Sequence, residues 1–148
     1  MTEYKFKTEP YKHQLEIFDR CVTMPSFGLL HEQGLGKTKL LIDIAANHHL
    51  AGRIDGLLVV APKGVDINWL TDEIPRHMPD EVGVAALRYA AKDAGTKRLS
   101  VSFEKMMTAK NRLAVFVTSP EAFRTDTGKK LAKAFLTKRR VLFAIDES

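Results

Sequence analysis

The sequence predicts an α/β protein with a mainly parallel sheet and helices on both faces. Three apolar runs carry this prediction, LLVVA at 57–61, LAVFV at 113–117 and VLFAI at 141–145, and each is continuous rather than alternating. Continuous runs of this length are typical of strands buried on both faces, as in parallel sheets. Segments with helical spacing separate them, and this alternation produces crossover units whose ligands bind at the carboxyl ends of the strands.

Two weaker segments complete the predicted sheet. FGLL at 27–30 lies directly before a glycine-rich segment, where the first parallel strand is needed, and VGVAALRY at 82–89 is a fifth candidate.

The helices are predicted from apolar residues that recur every three or four positions. The clearest spans 37–50, with Leu40, Leu41, Ile44 and Ala45 on one face and Gly52 just beyond it. Four further helices are predicted from the same spacing, in chain order from Leu15, Phe18 and Val22, from Val65, Trp69 and Leu70, from Leu99, Phe103 and Met106, and from Leu131, Ala134 and Phe135. The second of these is expected to end at Pro75, because proline disrupts a helix interior.

Length and composition predict a single domain over 1–148, since 148 residues with 45% apolar content supply one ordinary core. The net charge of +5 is a mild bias towards polyanionic partners. A single cysteine, Cys21, excludes an intramolecular disulfide and fits a reducing, cytoplasmic compartment. The longest apolar runs have five residues, against the roughly 20 that cross a bilayer, so no membrane partner is expected.

The segment HEQGLGKT at 31–38 has the context of a phosphate-binding loop, because it follows an apolar strand and opens a helix. Gly34 and Gly36 permit positive backbone dihedrals and close approach to phosphate, with Leu35 between them. Lys37 can neutralise β and γ oxygens, and the Thr38 hydroxyl can ligate magnesium. The predicted cofactors are therefore ATP and Mg²⁺.

This segment departs from the general phosphate-loop (Walker A) pattern, because His31 stands where a leading glycine is usual. The alternative is a glycine-containing helix N-terminus that binds no ligand.

A second half-site is predicted at VLFAIDES, where a buried strand ends in two adjacent carboxylates. Asp146 would hold magnesium through water, and Glu147 would polarise the water that attacks the γ-phosphate. The alternative is a pair of acids that simply opens a solvated loop.

Four segments together, HEQGLGKT, APKGVDINW, VTSPEAF and IDES, resemble the first motor domain of superfamily-two helicases, and within it the Swi/Snf-like DNA translocases. The resemblance spans nearly the whole chain and implies a RecA-like three-layer sandwich. The phosphate loop of that family reads close to DEMGLGKT and also lacks the leading glycine.

The resemblance implies further site residues. PYKHQ at 10–14 is similar to the upstream glutamine segment of the family, in which Gln14 would read the adenine edge. Lys63 and Asn68 would contact nucleic-acid phosphates. Thr118 and Ser119 are candidate phosphate donors, with a helix cap before Pro120 as an equal alternative. The basic stretch at 129–140 is interpreted first as a solvated helix face.

The implied activity is that of a helicase-like, DNA-dependent ATPase, with RNA not excluded as the partner and a monomer expected. Lys37 and Glu147 would be its catalytic residues. The resemblance implies a second motor domain that lies outside this chain and supplies an arginine finger, so we expect 1–148 to bind ATP better than it hydrolyses it. The alternative is a truncated module that binds nucleotide or nucleic acid without catalysis. The compact motif spacing suggests a bacterial virus as the source.

Overall fold

The computed structural model of the chain describes residues 4–23 and 36–146. Its elements follow in chain order: α1 Lys12–Cys21, α2 Lys37–Leu50, β1 Gly56–Val60, α3 Val65–Asn68, a π-helical turn Trp69–Glu73, α4 Ile74–His77, β2 Val84–Tyr89, a 3₁₀ turn Ala91–Asp93, α5 Lys97–Thr108, β3 Leu113–Thr118, α6 Pro120–Phe123, α7 Asp126–Lys138 and β4 Val141–Ile145. No helix in these two ranges is both long enough and apolar enough to cross a membrane.

The described strands form a parallel sheet in the order β2-β3-β1-β4. Every residue of β1 and β3 is buried, as expected for central strands with continuous apolar sequence. The predicted strand at 27–30 lies outside the described residues. The α/β fold class with a parallel sheet is confirmed.

The sheet is covered on both faces, which gives the predicted three layers. Leu57 and Val59 of β1 point into a core shared with α2, Trp69 and Ile74. Leu58 points to the opposite face, into a core that contains residues of α5, α6 and α7. Because successive side chains of a strand alternate between faces, one short strand contributes to both cores.

The segment before α1 is attached to α2 by a buried polar network. The Lys39 ammonium donates to the Thr8 carbonyl at 2.9 Å and to Asp43 Oδ2 at 2.7 Å. The Tyr4 hydroxyl donates to Asp43 Oδ1 at 2.7 Å. Helix α1 adds an apolar contact, in which Phe18 packs with residues of α2.

The expectation that Pro75 ends its helix is wrong, since α4 continues to His77. Proline lacks an N–H group and its ring clashes with the carbonyl one turn earlier. The wider π-helical turn immediately before it, in which the Ile74 amide bonds the Trp69 carbonyl, changes the hydrogen-bond register ahead of the proline. The helix ends instead at extended Met78, which precedes Pro79 and is therefore disfavoured in α-helical geometry.

Helix α7 lies where the amphipathic pattern predicts it, with one difference in its buried face. Phe135 is fully buried as expected, and Ala132 is buried with it. Ala134, which was expected to face inward, is only half-buried.

Candidate functional site

The first turn of α2 begins with a left-handed glycine. Gly36 has φ of 74° and immediately precedes Lys37, the first helical residue. A side chain at this position is disfavoured by the backbone angle, and its Cβ would also collide with the Gln14 amide. The backbone angle therefore favours glycine here, and any other residue would also displace the Gln14 amide. Gly34 and Leu35, the other predicted loop residues, lie outside the described residues.

Asp146 lies beside this helix start. The Asp146 amide donates to the Val60 carbonyl at 2.8 Å, which extends the β1–β4 pairing one residue past the strand. The Thr38 hydroxyl donates to Asp146 Oδ2 at 3.3 Å. Residues that are 108 positions apart in sequence thus meet at the carboxyl edge of the sheet. Glu147, the predicted base, lies outside the described residues.

Trp69 contacts the same carboxylate. Its indole Nε1 donates to Asp146 Oδ2 at 3.0 Å, and the side chain is fully buried. Helical spacing with Val65 predicts the burial but gives no sign of the hydrogen bond. The available signal is chemical, since the N–H of a buried tryptophan usually finds an acceptor.

Gln14 is held against the helix start, where its side chain is 2% exposed. Its Oε1 accepts a 2.7 Å hydrogen bond from the Tyr11 amide, and its Nε2 is the atom that a Cβ at Gly36 would strike. The Tyr11 ring is 69% exposed and stacks on the His13 ring. The structure thus brings the predicted adenine-reading residue to the predicted phosphate loop.

A cavity of about 390 Å³ opens beside the first turn of α2. One wall is formed by Gly36, Lys37, Thr38 and Lys39, and the other by Glu73, Arg76 and His77. The second wall is absent from the sequence prediction, although a spacing of three and four residues places its members on one helix face.

The second wall carries two perturbed groups. Burial raises the pKa of Glu73, as do the nearby Asp72 and Asp146 carboxylates, while Arg76 lowers it. Burial lowers the pKa of His77, and the Lys39 and Arg76 cations add to this shift. Near neutral pH, His77 is therefore neutral in this setting.

Lys63 is exposed on the loop after β1, and Asn68 is exposed at the end of the short helix α3 that follows it. Buried Asp66 fixes this loop, because its Oδ1 accepts hydrogen bonds from the Gly64 and Ile67 amides at 3.0 and 2.8 Å. Its Oδ2 pairs with Arg88 Nε at 3.0 Å. The two predicted nucleic-acid contacts thus belong to a loop and a following helical turn that have a defined conformation.

Thr118 and Ser119 are buried at the end of β3. The Thr118 hydroxyl donates to the Tyr89 carbonyl at 2.9 Å. Ser119 Oγ accepts from the Ala122 amide at 3.2 Å and caps α6. The cap that the sequence offered as an alternative is present, and the phosphate-contact role of both residues stays a prediction.

Thr38 and Asp146 provide oxygen donors of the kind that Mg²⁺ accepts. In the part of the chain that the structure describes, no three His, Cys, Asp or Glu side chains are grouped for metal binding. A magnesium ion here would need water and substrate oxygens to fill its coordination shell. That arrangement fits the usual preference of Mg²⁺ for one or two carboxylates plus phosphates.

The fold is similar to that of the SWI2/SNF2 ATPase core of Sulfolobus solfataricus, which was solved in complex with double-stranded DNA. The two share 16% sequence identity and a TM-score of 0.62, over all of this chain and 33% of the other. This chain thus spans about a third of the length of that protein. No family model matches the chain, and no curated protein matches its sequence.

Proposed function

We propose that this chain is the ATP- and magnesium-binding motor domain of a DNA-dependent ATPase of the Swi/Snf-like translocase type. The observation that carries the proposal is the 3.3 Å contact between the Thr38 hydroxyl and Asp146, next to left-handed Gly36. The contact joins the two predicted half-sites on one edge of a parallel sheet, the edge at which α/β folds bind ligands.

The proposed site divides its work among a few residues. The loop Gly34–Thr38 would bind the phosphates, and Lys37 would neutralise the β and γ oxygens. The Thr38 hydroxyl and, through water, Asp146 would hold magnesium, which would neutralise phosphate charge. Glu147 accepts a proton from the attacking water.

Gln14 is proposed to recognise adenine with the donor and acceptor of its amide. Its position beside Gly36 supports this role, because the base must lie within one nucleotide length of the phosphate loop. The present hydrogen bond from the Tyr11 amide to Oε1 leaves the amide nitrogen aimed towards Gly36.

Nucleic acid is proposed to bind along the carboxyl edge of the sheet. Lys63 is exposed there on the loop that Asp66 holds, and Asn68 is exposed at the end of α3. Thr118 and Ser119 lie at the end of the neighbouring strand β3. The double-stranded DNA bound by the Sulfolobus protein supports DNA as the partner. A net charge of +5 favours any polyanion.

Hydrolysis in this proposal requires a second motor domain. The similarity covers about a third of the Sulfolobus protein, and an arginine finger from a partner domain adds roughly three to five decades in rate. The chain studied alone should therefore bind ATP without hydrolysing it quickly.

The proposal is tested with Lys37→Ala. This change removes the cation that faces the phosphates, and we expect a loss of affinity for a non-hydrolysable ATP analogue of at least about tenfold, the scale of one charge-assisted hydrogen bond. Titration calorimetry with magnesium measures it. Lys129→Ala, an equal loss of charge on exposed α7, is the matched control and should bind like the parent.

The midpoint of thermal unfolding measures the same binding independently. A ligand that binds only the native state raises the midpoint with the logarithm of its concentration over its dissociation constant. A parent protein whose midpoint is unmoved by magnesium and the analogue would contradict the proposal, as would a Lys37→Ala variant that binds like the parent.

A further inference from the structure

The cavity beside α2 has two walls of different chemistry. Its α2 wall offers the first-turn amides and the Lys37 ammonium, which suit an anion. The second wall, formed by Glu73, Arg76 and His77 and called the α4 wall below, offers the Glu73 carboxylate, which accepts hydrogen bonds, and an Arg76 cation that is already paired with Asp72. A ligand that fits both walls is anionic at one end and rich in donors at the other.

A hydrogen bond and a longer electrostatic contact hold the α4 wall in place. His77 Nδ1 lies 2.7 Å from Thr8 Oγ1, and His77 Nε2 lies 3.5 Å from Glu73 Oε2. Electrostatic attraction to the Glu73 carboxylate favours a proton on Nε2 of the neutral ring, and Nδ1 then accepts from the Thr8 hydroxyl. The 3.5 Å contact is longer than a normal N–H···O hydrogen bond, and a carboxylate accepts about four hydrogen bonds in total.

The cations on this side are already engaged. Lys39 is paired with Asp43 at 2.7 Å, and Arg76 is paired with Asp72 at 2.8 Å. Neither pairing involves Glu73, and the side chain of Glu73 is 28% exposed towards solvent. Glu73 is therefore the acceptor that the α4 wall presents to a ligand.

We propose that Glu73 binds the ribose hydroxyls of the nucleotide and so makes the site selective for ribonucleotides. The inference rests on the proposed function, since it extends the phosphate site at α2 towards the sugar. A vicinal diol supplies two adjacent O–H donors, and a carboxylate is a common protein partner for ribose hydroxyls. A volume of about 390 Å³ is within the range of ligand pockets, so it has room beyond a phosphate group.

Inorganic phosphate or a nucleic-acid backbone fits the α4 wall less well than a nucleotide does. Both ligands are anionic throughout, and an ionised Glu73 would repel either of them. A nucleotide keeps its charge at the α2 wall and presents hydroxyl donors on the α4 side.

The test compares ATP with 2′,3′-dideoxy-ATP by calorimetry in the presence of magnesium. The parent should bind ATP about tenfold more tightly, the scale of hydrogen bonds to a charged acceptor. Glu73→Gln keeps the shape but weakens the acceptor, so the ratio should fall to about twofold, and Glu73→Ala should reduce it to about one. Glu121→Gln, the same chemical change on exposed α6, should keep the parent ratio.

The outcomes separate this inference from the function on which it rests. Suppose that the parent binds ATP and the Lys37→Ala variant does not. If the parent then binds ATP and 2′,3′-dideoxy-ATP equally, the ribose assignment is overturned while the ATP site remains. An unchanged ratio in Glu73→Gln and Glu73→Ala overturns it as well. Failure of the parent to bind either nucleotide overturns both proposals. The comparison within the parent needs no variant and so does not depend on how the variants fold.

Discussion

Trp69 meets two structural requirements with one side chain. Its ring fills the core between α2 and the sheet, in contact with the cluster that contains Ile42 and Val59. Its indole N–H donates to Asp146 Oδ2, the oxygen that also accepts from the Thr38 hydroxyl. Apolar periodicity detects the first property only, because it records which face a residue occupies and ignores polar atoms at the edge of a ring.

Trp69→Phe separates the two roles, since it keeps an aromatic ring and removes the donor. We expect the free energy of unfolding to fall by about 1–3 kcal/mol, the cost of an unmet buried hydrogen bond. We also expect weaker magnesium dependence of ATP binding, because Asp146 loses the shorter of the two hydrogen bonds from Trp69 and Thr38 to its Oδ2. Urea denaturation measures the first effect, and ATP titrations at several magnesium concentrations measure the second.

Tyr89→Phe is the matched control for this change. It also removes one polar group from a fully buried aromatic ring, whose hydroxyl lies 2.9 Å from Thr125 Oγ1 in the core on the other face of the sheet. It should lower stability and leave the magnesium dependence unchanged. Equal magnesium dependence in the parent and Trp69→Phe would show that the indole plays no part in positioning Asp146.

Residues close together in sequence were easier to predict than residues brought together by packing. The roles of Gly36, Lys37 and Thr38 were predicted from one short segment, because a strand predicted before it and a helix predicted after it are typical of a phosphate-binding loop. The position of Asp146 was predictable because parallel strands present their carboxyl ends at one edge of the sheet. Glu73 could not be found this way, because its place in the cavity depends on how α4 packs against α2.

Among the elements, α2 is the one whose bounds were predicted most accurately from the sequence. Its bounds, Lys37–Leu50, are the predicted ones, since a glycine precedes it and a second glycine follows shortly after. The segment Val65–His77 shows the opposite case. Proline was interpreted as a helix end, and the pattern of apolar residues gave no sign of the π-helical turn Trp69–Glu73 that precedes it.

The ion pair Lys39–Asp43 attaches the N-terminal segment to α2, and the burial of the pair decides how much it contributes to the free energy of unfolding. Burial raises the pKa of Asp43, while the hydrogen bonds from Lys39 and Tyr4 act in the opposite direction. The side chains are 7% and 1% exposed. An ion pair this deeply buried costs much desolvation, and loss of one partner leaves the other charge uncompensated.

Lys39→Met should therefore lower the free energy of unfolding by about 3–5 kcal/mol. Arg76→Met is the matched control, because Arg76 forms an ion pair with Asp72 at the same helical spacing and a similar distance, with both side chains about half exposed. Its cost should stay below about 1 kcal/mol. Urea denaturation at neutral pH compares the two variants, and equal losses would show that burial does not govern the contribution of the pair.

At the scale of the whole molecule, the alternation of strands and helices was sufficient to predict the fold class. The order β2-β3-β1-β4 was not predicted, because apolar runs show that strands are central without showing which strands are neighbours. That order matters for function. It places the loop after β1 between the ends of β3 and β4, so Lys63 lies on the same edge as Asp146.

The sheet also provides an internal test of the proposed nucleic-acid surface, because its two edges carry comparable lysines. Lys63 follows β1 at the carboxyl edge, and Lys110 precedes β3 at the amino edge; both are exposed. Alanine at either position changes the net charge equally. Any difference between the variants therefore reports where the polyanion lies.

We expect Lys63→Ala to weaken binding to double-stranded DNA and to reduce the slope of log affinity against log salt by about one, the value of one lost phosphate contact. Lys110→Ala should leave that slope unchanged. Fluorescence anisotropy with a labelled duplex at several salt concentrations gives both slopes. If the two variants lose affinity equally, the attraction comes from the net charge of +5 as a whole, and the carboxyl edge has no special part in DNA binding.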